Sequence, residues 1–218
     1  MCRKKYLALF SRRLFLMFRS MGWAFFVPLL VLNVLLPLAF WREYRKIGLD
    51  DEFRRHIQQT TSIFVPLFSG WWISFFLRNV IESNGGEAIY LGHQKRMLRD
   101  LLLIFSVYFL NVSLQYLVYI LAFPELGMDY LKIIFPCIFI FSFVFFLGSR
   151  TKSIVFAMIM VFFYVLMDYL LASAHAVFPL YSSMPGADFP HQFLVQYLPL
   201  TASSCVLLGV GLKRKSKL

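Results

Sequence analysis

Six times along this chain Asp, Glu, Lys and Arg give way to a run about as long as a helix needs to cross a hydrocarbon layer of about 30 Å, at about 1.5 Å per residue. The runs are 22–41, 60–77, 101–123, 133–149, 153–177 and 193–212, and the fifth alone is interrupted, by Asp168. In lipid a polypeptide satisfies its own backbone only as a helix or a closed barrel, and uninterrupted apolar runs of this length predict helices. The expected fold is therefore an all-α membrane protein with six transmembrane helices in residues 22–218. Composition agrees, since 60% of the 218 residues are apolar and 15% charged, against about 25% charged in a soluble domain. Too little charge remains to coat a water-soluble globule.

An even number of spans puts both ends on one side, and basic residues say which. The N-terminus, residues 78–100, the turn at 150–152 and the C-terminal tail hold 16 of the 22 Lys and Arg. Those segments are expected in the cytoplasm of a bacterial cell, with the protein multi-pass in the cell membrane. Five of the other six basic residues fall at 42–59, beside Glu43, Asp50, Asp51 and Glu52. That stretch is expected to be an external, amphipathic loop.

The net charge of +11 sits beside apolar runs rather than in a polar domain with interleaved aromatics. It suits anionic lipid headgroups and argues against nucleic acid. Cys2, Cys137 and Cys205 stand apart from one another and from any His at ligand spacing, so no metal site is expected and the thiols read as core fillers.

Three segments lie outside the spans. In 1–21, Leu7, Phe10, Leu14, Phe18 and Met21 recur at helical spacing, with Lys5, Arg12 and Arg19 on a different face. This is either an amphipathic helix lying in the cytoplasmic interface or a basic leader that sets topology. Residues 174–191, with Pro179, Pro185, Gly186 and Pro190, form either a re-entrant segment or a surface loop. Between the second and third spans, Ser83-Asn84-Gly85-Gly86 signals a turn. A short helix from Glu87 through Ala88, Tyr90 and Leu91 is expected to follow, ahead of the cationic anchors Lys95 and Arg96.

Catalytic signatures are missing. The sequence has no G-x-x-x-x-G-K-[ST] loop to bind ATP, no H-E-x-x-H and no G-x-S-x-G. His56, His93, His175 and His191 fall in or near expected loops. Asp168, the one acid within an expected span, either lines a pathway through the bundle or reaches the external interface beside Tyr169.

The second span with Glu82, the turn at Gly85-Gly86, the apolar stretch Ala88-Ile89-Tyr90-Leu91, and Lys95-Arg96 ahead of the third span resembles the coupling-helix region of type-2 ATP-binding-cassette exporters. The layout resembles these ABC-2-like permeases along the whole chain. A departure is Gly92-His93-Gln94, where many members carry a Thr-Pro or similar turn. The resemblance implies a permease subunit without its own ATPase that pairs with itself or a second permease. It would dock ATPase subunits carrying the ATP and Mg, with Glu82, Gly85, Gly86, Glu87, Ala88, Tyr90, Leu91, Lys95 and Arg96 at the contact. A hydrophobic or amphipathic cargo, such as a peptide, drug or lipid-like molecule, would suit the abundant Phe and Trp71-Trp72. An accessory or immunity membrane protein that moves nothing is the second reading, and a membrane enzyme the third.

Overall fold

The computed structural model describes residue 19 and residues 21–81, 94–171 and 193–212. Among these, six helices and no strand are found: α1 (Gly22–Ile47), α2 (Asp51–Ile81), α3 (Gln94–Ala122), α4 (Leu126–Thr151), α5 (Ile154–Leu171) and α6 (Phe193–Leu212). All but α5 are long and apolar enough to cross a membrane. The protein is accordingly all-α and membrane-embedded, with multiple apolar helices. Helix α5 is described over 18 residues, and the expected continuation of its span to 177 lies outside the described residues. So do the expected interfacial helix, save Arg19 and Met21, and the whole of 174–191.

The helices overrun the charge-free runs, and this corrects the expected loop at 42–59. Helix α1 continues through Arg45 and Lys46 to Ile47, and α2 already begins at Asp51. Gly48 ends α1 in a left-handed conformation (φ 84°), its N–H donating to Tyr44 O, a geometry that only glycine adopts without strain. Asp50 then starts α2, its Oδ1 accepting from Asp51 N–H at 2.7 Å, with Asp51 and Glu52 at the positive end of the helix. The physical reason is length. A helix of 31 residues spans about 46 Å, more than a hydrocarbon layer of about 30 Å, which leaves it long enough to carry its charged end beyond the layer without breaking a backbone bond. His56 thereby sits on α2, edge-on to Phe40 at 5.9 Å, rather than in a loop.

Neighbouring helices alternate in direction. Along the α1/α2 hairpin, Ala24 meets Trp71 while Phe40 meets Phe53, and α3 runs antiparallel to α2, with Tyr116 on Thr61 and Tyr108 on Val65. Helices α2, α4 and α6 run parallel: Ser69 meets Cys137, and Phe135 meets Tyr197 at one end while Gly211 meets Phe145 further on. Helix α4 is central, touching α2, α3, α5 and α6, whereas α1 lies against α2 and α3.

Small residues allow the closest approaches. A Cβ on Gly70 would come within 2.9 Å of Val144 Cγ2 and 3.1 Å of Ile140 Cγ2, and one on Gly211 within 2.8 Å of Phe145 Cε1. Lipid offers no hydrophobic force between helices, so such close van der Waals contact is one of the forces that join them. Cys137 is fully buried as expected, but Cys205 is exposed on the outer face of α6. Helical periodicity explains the difference, because α6 turns Leu200, Ser204 and Gly211 inward instead.

At the end opposite Gly48, α4 closes on Lys152, a left-handed residue (φ 54°) whose N–H donates to Gly148 O. Ser153 Oγ accepts from Phe156 N–H at 3.3 Å, an N-cap that starts α5 almost at once.

Candidate functional site

Helix α1 departs furthest from regular geometry. It opens as a 3₁₀ turn (Gly22–Phe25), passes into α-helix, widens into a π-helical stretch (Val31–Leu35) and returns to α-helix. Two prolines explain this. A proline has no N–H and leaves a carbonyl one turn earlier without its donor. For Pro28 that carbonyl in an α-helix is Ala24 O. In the π-helical stretch Leu36 N–H donates to Val31 O, so the next bond in that register would join residue 37 to Leu32 O, and residue 37 is proline.

Other helices supply the missing donors. Trp71 Nε1 donates to Ala24 O at 2.9 Å, and Trp72 Nε1 to Phe25 O at 3.0 Å. Gln115 Nε2, from α3, donates to Leu32 O at 2.7 Å and to Tyr119 Oη at 2.9 Å. An unsatisfied carbonyl within lipid costs several kcal/mol; Trp71 and Gln115 remove that cost at the two carbonyls the prolines leave bare, while Trp72 adds a donor to a carbonyl that proline does not deprive. Trp71 and Trp72 therefore brace α1 through their indole N–H groups. Trp72 is 1% exposed and stacks on Phe25 at 4.9 Å.

A row of polar side chains continues from this brace. Asn33, on the π-helical stretch, donates through Nδ2 to Leu29 O at 3.1 Å and to Asn111 Oδ1 on α3 at 3.0 Å. Tyr116 Oη donates to Thr61 Oγ1 at 2.8 Å, Ser113 Oγ lies 2.6 Å from Tyr130 Oη, and Gln58 Nε2 donates to Asp129 Oδ1 at 2.9 Å. Asn111 Nδ2 and Gln115 Oε1 are buried without a hydrogen-bond partner among the described residues. The helices α1 to α4 thus share a polar tier within an otherwise apolar bundle. Its chemistry is hydrogen bonding, with the Asp129 carboxyl as its one acid, and among the described residues no three His, Cys, Asp or Glu are grouped to hold a metal.

Asp168 lies apart from this tier. On α5 the residues Ile154, Ala157, Val161, Val165 and Asp168 are all buried, a spacing that lines one helix face against the bundle. Asp168 sits on that seam, 5% exposed and about 21 Å along the helix from Ile154. One turn earlier, Tyr164 leans on Phe139 and Phe143 of α4 at 5.5 and 5.9 Å. The acid therefore faces protein and not lipid.

The residues expected to touch an ATPase are not placed. Glu82, Gly85, Gly86, Glu87, Ala88, Tyr90 and Leu91 lie outside the described residues. Lys95 and Arg96 fall on the first turn of α3, their side chains outside the described set. The polar tier was missed as a unit in the sequence, although Asn33, Asn111 and Gln115 within apolar runs were visible signals of it. No known protein family, no curated protein and no solved structure matches this chain.

Proposed function

We propose that the chain is the permease subunit of an ATP-binding-cassette exporter of the ABC-2-like type, pairing with itself or a second permease. Separate ATPase subunits carrying ATP and Mg would drive it, the chain itself having no enzymatic role. Its cargo would be hydrophobic or amphipathic: a peptide, a drug or a lipid-like molecule. In this reading both ends of the chain lie in the cytoplasm of a bacterial cell.

One observation carries the reading. Helix α2 is unbroken from Asp51 to Ile81, and α1, α3, α4 and α5 all lie against it. A push on residues 82–93, which join α2 to α3, would be delivered to the centre of the bundle rather than absorbed at its edge. Closing of the ATPases would press the segment around Glu87 and tilt α2 and α3, shifting the population between inward-closed and outward-open states.

Co-purification in mild detergent tests this. The chain should bring down an ATPase whose turnover depends on it, and Glu87→Ala or Arg96→Ala should weaken that dependence. A chain that recovers no ATPase would leave the accessory or immunity reading in its place. Labelling of Lys95 from outside intact cells would put the connector on the wrong face and remove the mechanical link.

A further inference from the structure

Asn33 is exposed on the outer surface of the bundle, about 16 Å along α1 from Gly22 and well inside the apolar span. Its carboxamide has only one orientation that fits. The Leu29 carbonyl fixes it: turned over, Asn33 would set one acceptor 3.1 Å from another, whereas as placed Nδ2 donates to Leu29 O and also to Asn111 Oδ1. Asn33 Oδ1 is thereby left as an acceptor with no hydrogen-bond partner among the described residues. A bare acceptor in hydrocarbon is costly, because no water is there to serve it.

We propose that the outward face where α1 meets α3 at Asn33 binds a lipid-like molecule from the membrane plane, an apolar body carrying a hydroxyl or N–H that donates to Asn33 Oδ1. The flanks suit the body of such a molecule: Leu30 and Val34 on one side, Leu110 and Leu114 on the other, all between 49% and 62% exposed. They also disfavour a partner helix. Close approach of two helices in lipid is favoured by small residues, and the four flanking side chains are large and branched. An outward face of small residues exists on α6, at Ala202, Cys205 and Gly209, but not here. The binding inference stands whether or not the chain transports anything.

The test uses the full chain in phosphatidylcholine nanodiscs and two probes, a diazirine-bearing long-chain alkanol and its methyl ether, which differ only in the O–H donor. After irradiation, the alkanol should label Leu30, Val34, Leu110 and Leu114 about five-fold more than the ether, the size expected of one net hydrogen bond. Asn33→Leu should reduce alkanol labelling to the ether's level. Equal labelling by the two probes in the unaltered chain overturns the proposal without recourse to any variant. So does an alkanol preference that survives in Asn33→Leu. A third outcome, Asn33→Cys forming a disulfide with a second copy of the chain, would put a helix against this face and overturn it too.

Discussion

Gln115 of α3 hydrogen-bonds the main-chain carbonyl of Leu32 in α1 at 2.7 Å, the acceptor that Pro37 leaves without a donor in the π-helical register. If this pairing is what stabilises the break, Gln115→Leu should lower stability by about 1–3 kcal/mol, the cost of a buried acceptor left unmade. Pro37→Ala restores an N–H and should recover part of that loss in the double variant. Thermal unfolding in detergent reads both, and a double variant no more stable than Gln115→Leu alone would refute the pairing.

Trp72 contributes an aromatic stack on Phe25 and a donor to its carbonyl, and two substitutions separate these. Trp72→Phe keeps most of the ring contact and should cost only about 0.6–1.7 kcal/mol, as for single polar contacts between membrane helices. Trp72→Ala also empties a buried site and should cost about 3–5 kcal/mol. Titration with a denaturing detergent distinguishes them. Equal losses would mean that the ring carries nothing.

Gly70 sets the approach of α2 to α4. Gly70→Ala would drive its Cβ against Val144 and Ile140, both β-branched and unable to swing aside, with an expected loss of about 1–3 kcal/mol. Val144→Ala removes the nearer methyl and should suppress part of the defect in unfolding measurements. No suppression would show that the two helices separate instead of clashing.

Arg54 lies 3.3 Å from both Asp51 and Glu125, tying the Gly48 hairpin to the start of α4. Both acids are mostly solvent-exposed, so Arg54→Ala should cost under about 1 kcal/mol. The difference from the unaltered chain should vanish in high salt. A large loss that persists in salt would mean that the hairpin relies on this link far more than its exposure implies.

Asp168→Asn keeps the size of a side chain buried on the α5 seam and removes its ability to carry charge. Under the transport reading it should slow cargo movement while leaving the unfolding midpoint nearly unchanged. Unaltered transport would leave Asp168 a structural residue only.

The helical class and the approximate spans were legible because a bilayer tolerates so few backbone solutions that a charge-free run almost dictates one. The helix ends were less legible, since counting charges stops a helix at its first Arg, whereas α1 runs past Arg42 and Arg45 and α2 starts ahead of Arg54. Gly48 and Asp50 did carry the stop and start signals. The place of Asp168 stayed open between a pathway and the external interface, because a lone acid in an apolar run does not say which face it takes. The braces between Trp71, Trp72 and Gln115 and the breaks in α1 were not legible, because which side chain reaches which carbonyl depends on long-range register. Pro28 and Pro37 announced only that some neighbour must help.

That dependence has a consequence for biogenesis. As the polypeptide is made, α1 enters the bilayer with carbonyl groups that its own segment cannot serve. Ala24 waits for a donor 47 positions later and Leu32 for one 83 positions later. Until α2 and then α3 emerge, α1 is the part of the nascent protein most in need of a sheltering insertase, and the part that premature termination would strand.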